Sequence, residues 1–541
     1  MEDQSMSMAQ GLEDQAAGHL RFIKASEAEQ PKTRLESQKS TEEIQMAPIF
    51  THAAHATIQA NPSEQPAVFP QYGLIGSEVT ETTKADHTDT LIYTNTTAPW
   101  AAMICGSQGS GKSHTLSCIL ENCLIKSLPV GNLTSPLAGL VFHYDKFTGF
   151  TSTQLCEAAY LCSAKIPVRI LVSPTNFVTM KDLYSQAEGL SPKHHPITVK
   201  PMFIPPESLT TAMMKTLMGV DNKSDCPLYM EMVLQILREM ATADQGRQGF
   251  NYTLFRQRID AAPFKDGQLA PLKIRLSILE SFLSPATSTG GFSDQPPANF
   301  DAWKAQVKDL WRFDKGTLTI VDLSCPFVGP DDACALFNIC ISLFMKSRQK
   351  IGRILVLDEA HKYLVGKYPE AHALTDTLLS LIRQQRHLGT RVVVATQEPT
   401  IASDLLDLCN VTIVHRFSSP AWFAAIERHI AGAALKKQPN TSSKLFEKIV
   451  SLPTGEALVF CPSAVIIMKK KKHDFEEGYK TEKYTEDSRD LDVWFYTPTP
   501  ERKEENERKG EKCLSRMGAE HIHLRVRDRL TLDGGRSMLA M

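Results

Sequence analysis

The run Gly106-Ser107-Gln108-Gly109-Ser110-Gly111-Lys112-Ser113 most constrains what this chain can fold into, because such a loop works only between a strand and a helix. Both flanks fit. Ala101-Ala102-Met103-Ile104-Cys105 reads as a buried strand, and Leu116, Ile119, Leu120, Cys123 and Leu124 recur at helical spacing. The pattern matches G-x-x-x-x-G-K-[ST] at every fixed position. Glycines let the backbone turn its N–H groups onto phosphate oxygens, Lys112 reaches β/γ-phosphates, and the Ser113 hydroxyl ligates Mg²⁺. The expected ligands are ATP and Mg²⁺, bound by Gly106, Ser107, Gln108, Gly109, Ser110, Gly111, Lys112 and Ser113.

Further apolar runs at 140–142, 168–172, 318–321, 354–357, 392–394 and 411–414 suit parallel strands covered on both faces. Helical patterns between several of them predict an α/β fold with a mostly parallel sheet. Between about 203 and 313 the pattern turns helical, with 230–240 and 272–283 the clearest segments, and reads as an insertion.

One of these strands, Ile354-Leu355-Val356-Leu357, delivers Asp358 and Glu359 at its tip. Asp358 suits holding Mg²⁺, as Ser113 does, and Glu359 suits polarising the attacking water. A binding switch manages with the aspartate alone, so the added glutamate favours a hydrolase. A helix cap by Asp358 is the plainer alternative. The strand Val392-Val393-Val394 runs into Ala395-Thr396-Gln397, which makes Gln397 a candidate for orienting water. Arg386 closes a helix that begins near Thr375, and Arg416 ends the strand at 411–414. A helix macrodipole explains an arginine at 386 equally well.

The order of these motifs resembles the HerA–FtsK superfamily of ATP-driven motors, more closely on the HerA side. The likeness rests on the loop at Gly106, Asp358-Glu359-Ala360-His361, Arg386-His387-Leu388-Gly389 and Ala395-Thr396-Gln397-Glu398-Pro399. It continues through Cys409-Asn410, Arg416 before Ser419-Pro420, and Leu452-Pro453-Thr454-Gly455-Glu456-Ala457-Leu458. The resemblance implies a RecA-like P-loop NTPase core and ATP hydrolysis by Lys112, Ser113, Asp358, Glu359 and Gln397. It also implies a homo-oligomeric, hexameric ring that moves DNA, with Arg386 or Arg416 as an arginine finger supplied in trans. Asp358-Glu359-Ala360-His361 also spells the box of DEAH helicases. Those place it much nearer the phosphate lysine than the 246 residues found here, and need a second core domain where only 141 residues follow Thr400. An ATP-dependent switch or scaffold without a nucleic-acid track is the other reading.

Net charge is −2, so no whole-protein field announces a polyanionic partner or a membrane surface. No apolar run approaches the length of a spanning helix, and the 12 cysteines lack a Cys-x-x-Cys pair. These features predict a soluble, intracellular protein with reduced thiols, in nucleus or cytoplasm. Residues 1–86, rich in Glu, Gln, Ser and Thr, are expected to be a disordered tail before a core at 87–468. A charged insert at 469–516, opening on the cluster Lys469 to Lys472, precedes a C-terminal strand and tail at 517–541. In that strand His521, His523, Arg525 and Arg527 share one face. Such a face suits nucleic-acid phosphates or an exposed sheet edge alike.

Overall fold

A computed structural model of the chain describes residues 42–60, 68–80, 87–126, 129–146, 154–205, 209–211, 213–214, 228–244, 250–264, 266–283, 307–346, 351–364, 366, 369–400, 403–429, 439–469 and 512–534. Two compact units are distinguished. One comprises residues 1–45 and 467–515, of which little is described; the other comprises 46–466 and 516–541 and carries everything that follows apart from residues 467–469 and 512–515 of two strands.

In chain order the strands are β1 (Ile49–Thr51), β2 (Tyr72–Glu78), β3 (Leu91–Asn95), β4 (Ala101–Cys105), β5 (Gly131–Asn132), β6 (Ala138–His143), β7 (Val168–Val172) and β8 (Ile197–Pro201). They continue with β9 (Leu318–Asp322), β10 (Arg353–Leu357), β11 (Thr390–Thr396), β12 (Val411–His415), β13 (Glu456–Phe460), β14 (Val465–Lys469), β15 (Lys512–Arg516) and β16 (Ile522–Val526). The parallel part of the sheet runs β8-β7-β9-β6-β10-β11-β4-β12. Beyond β12 the strands β13, β16, β2, β3 and β1 follow antiparallel to one another.

The parallel strands are apolar at successive positions because both faces are covered. Along β11, Val392 and Val394 face one core, while Val393 and Ala395 face the other. Along β4, Met103 and Ile104 divide in the same way. Each fully buried aliphatic side chain contributes roughly 1.5–3 kcal/mol, so a one-residue slip of any strand would exchange two well-packed faces. The helical insertion belongs to the first core: helices Leu228–Asp244, Tyr252–Ala261 and Asp266–Leu283 bury Leu237, Phe255 and Leu276 against it.

Two sequence expectations change here. Within the segment expected as a tail, residues 1–41 lie outside the described residues, but 49–51 and 72–78 are strands of the sheet. Phe50 is fully buried, stacked 4.0 Å from the ring of Phe69 and 5.6 Å from that of Tyr93. A three-residue strand, β1, and a seven-residue one, β2, interrupted by two glycines and tied through aromatic contacts to distant residues, leave little local pattern to read as order. The C-terminal strand β16 is not an edge either: it pairs with β13 and β2. Two side chains of its polar face are engaged by the protein itself: His523, part-buried, and Arg525, exposed, each lie 2.8 Å from the buried Glu456 carboxylate. That leaves these two side chains unavailable as a free basic strip. Most of the charged insert, including Lys470 to Lys472, lies outside the described residues. The cysteines between Cys105 and Cys461 whose side chains are described are free, and all but Cys409 are buried.

Candidate nucleotide site

Parallel strands present all their C-terminal tips at one sheet edge, and the site is assembled from four adjacent ones. β4 ends in the glycine loop, β11 in Thr396 and Gln397, β10 in Asp358 and Glu359, and β6 in His143. β11 lies between β4 and β10, so Gln397 emerges between the loop and the carboxylates.

The loop has backbone conformations that only glycine adopts without strain, with φ +155° at Gly106, +72° at Gly109 and +109° at Gly111. At Gly106 a Cβ would stand 2.7 Å from the Cβ of His415, which leaves no room for any other residue. The Ser107 amide and hydroxyl both donate to the Arg416 carbonyl at 2.9 Å, tying the loop to the end of β12. Helix Lys112–Leu124 then begins without a side-chain cap, its N-terminal dipole directed at the loop. Lys112 is 5% exposed and its Nζ donates to the Ser107 carbonyl at 2.9 Å, folding the ammonium back into the loop. Burial pulls its pKa down; Glu359 and Asp358 act the other way. These residues fit ATP and Mg²⁺: an open glycine cradle, a buried ammonium, and the Ser113 hydroxyl at the helix start.

Beneath the loop, His415 is fully buried between Glu456 and the phosphate-loop helix. Its Nδ1–H donates to the Glu456 carbonyl at 3.0 Å, so Nε2 accepts from the Thr115 hydroxyl at 3.0 Å. Burial drives its pKa down to about 4. Sequence reading missed this residue, since one histidine at a strand end carries no local signal.

Asp358 and Glu359 are 4% and 6% exposed. Glu359 sits in the left-handed region, φ +47° and ψ +42°, which costs a non-glycine residue on the order of 1–2 kcal/mol. Tertiary contacts hold it there. Its Oε2 accepts from the Gln397 side-chain amide at 3.1 Å and lies 3.3 Å from His361 Nδ1. The Gln397 backbone N–H in turn lies 3.4 Å from His361 Nδ1. Burial lowers the His361 pKa, opposed by Glu359.

Asp358 has a second set of neighbours that the sequence does not reveal. His143 Nδ1 lies 3.7 Å from Asp358 Oδ2, while His143 Nε2 donates to the Gln154 carbonyl at 2.8 Å. Strand register sets Asp322 of β9 beside His143. Asp322 accepts from the Tyr184 hydroxyl at 2.6 Å and from the Ser324 amide at 3.0 Å. Burial alone would depress the His143 pKa, but the Asp322 and Asp358 carboxylates outweigh it and raise it to about 9. An imidazole whose proton affinity is raised therefore stands between two buried carboxylates on neighbouring strand tips. Cys156 completes this cluster, its Sγ within 4.8 Å of the His143 and Asp358 ligand atoms.

The two candidate arginines lie apart. Arg416, exposed, follows β12 at the loop's own edge. Arg386, also exposed, is in the short helix Gln385–Leu388 that precedes β11, at the opposite edge. The seven residues of β11 put it about 20 Å from its own phosphate loop.

Among the described residues, no helix is long and apolar enough to cross a membrane. No protein-family model and no curated protein sequence matches the chain. Among solved structures, the chain is similar to VirB4 of Thermoanaerobacter pseudethanolicus, with a TM-score of 0.43 and 11% identity over 72% of this chain and 94% of that one. Similarity to the plasmid coupling protein TrwB, solved with ADP and Mg²⁺, gives a TM-score of 0.37 and 11% identity over 73% and 91%. The genome packaging NTPase B204 from Sulfolobus turreted icosahedral virus 2, in complex with AMP, matches at a TM-score of 0.21 and 18% identity over 28% and 66%. By its own strand order and glycine loop the chain has the α/β fold of a P-loop NTPase, and the order of its motifs resembles that of the HerA–FtsK superfamily.

Proposed function

We propose that this chain is an ATP-hydrolysing motor of the HerA/FtsK kind that acts on DNA as a homo-oligomeric, hexameric ring. The observation that carries the hydrolytic part is the meeting of Lys112, Asp358, Glu359 and Gln397 at one sheet edge, with Glu359 tethered through a single oxygen. In this reading the amides from Gly106 to Ser113 bind the triphosphate, and Lys112 leaves the Ser107 carbonyl for the β/γ-phosphates. Ser113 and Asp358 hold Mg²⁺, which supplies charge neutralisation at the phosphates when bound. Glu359 accepts the proton of the attacking water, its tether at Oε2 directing Oε1 to that task. Gln397 first orients Glu359 and, through it, the water. This reading rests on the hydrogen bond from the Gln397 amide to the glutamate, and leaves its second N–H and its oxygen for the water that the sequence assigns to it.

Arg386 is the preferred trans finger and Arg416 the second. Arg386 lies too far from its own loop to serve it, so any γ-phosphate it meets belongs to a neighbour. The test of the motor reading is ATPase activity with and without single- and double-stranded DNA across a salt series. Stimulation that weakens with salt supports it, as lysine and arginine displace phosphate counterions. ATP hydrolysis with no stimulation by any polymer at low salt would replace the motor by a switch or scaffold.

A further inference from the structure

At the sheet edge opposite the nucleotide site, a cavity of about 610 Å³ opens where β6, β7 and β9 begin. Three separate segments each bring one exposed lysine to its wall. Lys126 follows the phosphate-loop helix, Lys165 ends the turn before β7, and Lys315 stands in the turn before β9. Thr134 and Ser135 add hydroxyls, and Lys315 Nζ donates to Ser135 Oγ at 2.9 Å. Leu124, Pro136 and Ile166, all buried, form an apolar floor. No aspartate or glutamate is among the described residues of the lining. The nearest acidic residue in sequence, Asp314, is paired with Arg312 at 3.0 Å.

A negatively charged occupant of this apolar-floored cavity gains from all three lysines at once. The helix end opposes this only in part. Its Glu121 and Cys123 carbonyls already accept from the Ile125 and Leu137 amides, and Lys126 offsets the negative end of the dipole. Lys165 holds its place in a left-handed conformation, φ +63°, one of two such non-glycine residues among those described. The other is Glu359, in the nucleotide site. Pocket volumes of roughly 300–1,000 Å³ suit a small organic ligand rather than a polymer track.

We propose that this cavity is a second anion site, which takes a small ligand carrying several phosphate groups on Lys126, Lys165 and Lys315 and rests its apolar body on the floor. The site is separate from the phosphate loop, although the helix Lys112–Leu124 runs from one to the other. The test uses the full-length chain carrying Lys112→Ala, to weaken competition from the loop, titrated calorimetrically with inorganic tripolyphosphate. Binding of one tripolyphosphate per chain is expected, weakened at least tenfold when Lys126, Lys165 and Lys315 are all changed to alanine. A far-UV circular dichroism spectrum and a melting temperature like wild type, measured on the triple variant, show that it is folded and keep this test independent of the nucleotide-site assignment. No tripolyphosphate binding to Lys112→Ala protein, or equal affinity in the triple variant, overturns the proposal. A DNA oligonucleotide held by these lysines where tripolyphosphate is not would also overturn it.

Discussion

The Gln397 side-chain amide donates to the Glu359 carboxylate across 3.1 Å, joining the tip of β11 to the tip of β10. Glu359→Gln keeps the side chain's shape and removes the base. ATP binding should persist while turnover falls by on the order of 10² to 10⁴. Gln397→Ala should leave ATP affinity unchanged and lower turnover about tenfold, since a freed glutamate is less often in position. Single-turnover kinetics checks both, and wild-type turnover in Glu359→Gln would move the base elsewhere.

Lys112→Ala removes the buried ammonium of the loop. ATP affinity in a direct titration should be lost, with the melting temperature of the nucleotide-free protein little changed. An unchanged affinity would remove the nucleotide-site assignment.

His143 Nδ1 stands 3.7 Å from Asp358 Oδ2, and a role in holding that carboxylate in place predicts a loss of the size typical of such partners, about 10–100-fold in metal affinity. Electron paramagnetic resonance of Mn²⁺ binding to the ADP-bound protein should show a loss in about this range for His143→Asn. Tyr184→Phe, which removes the hydroxyl that holds Asp322, should cause a smaller loss in the same direction. Unaltered Mn²⁺ affinity in folded His143→Asn protein would contradict the role.

His415 sets a pH dependence. Its pKa is about 4 when folded, against 6.5 ordinarily, so the unfolded chain takes up the proton first as pH falls. Its contribution to stability is full above pH 6.5 and declines down to about pH 4. Denaturant unfolding in that window should weaken in acid, with a shallower slope in His415→Asn. An identical slope in the variant would refute the assignment.

The arginine finger is testable by mixing. Arg386→Ala subunits and Glu359→Gln subunits should each be inactive alone, yet regain some ATPase together, because an intact site can face a neighbour that keeps its arginine. The same mixture with Arg416→Ala tests the second candidate. Wild-type ATPase in both arginine variants, or a monomer by light scattering with ATP and Mg²⁺, would rule out the trans finger.

Read from sequence alone, the strand, glycine loop and helix around Gly106 to Ser113 were legible because they are local: conformational freedom, charge and spacing sit within about twenty consecutive residues. The apolar runs of β4, β10, β11 and β12 were legible for a related reason, since a strand covered on both faces must be apolar throughout. Tertiary structure decided what those segments meet. It put β11 between β4 and β10, bringing Gln397 to Glu359, and set β6 beside β10 and β9 beside β6 so that His143 and Asp322 back Asp358. Such contacts join residues tens to hundreds of positions apart and leave no periodic trace. The same holds for β16: its alternating pattern specified a strand with one polar face, and only the pairing with β13 determined that Glu456 would meet His523 and Arg525.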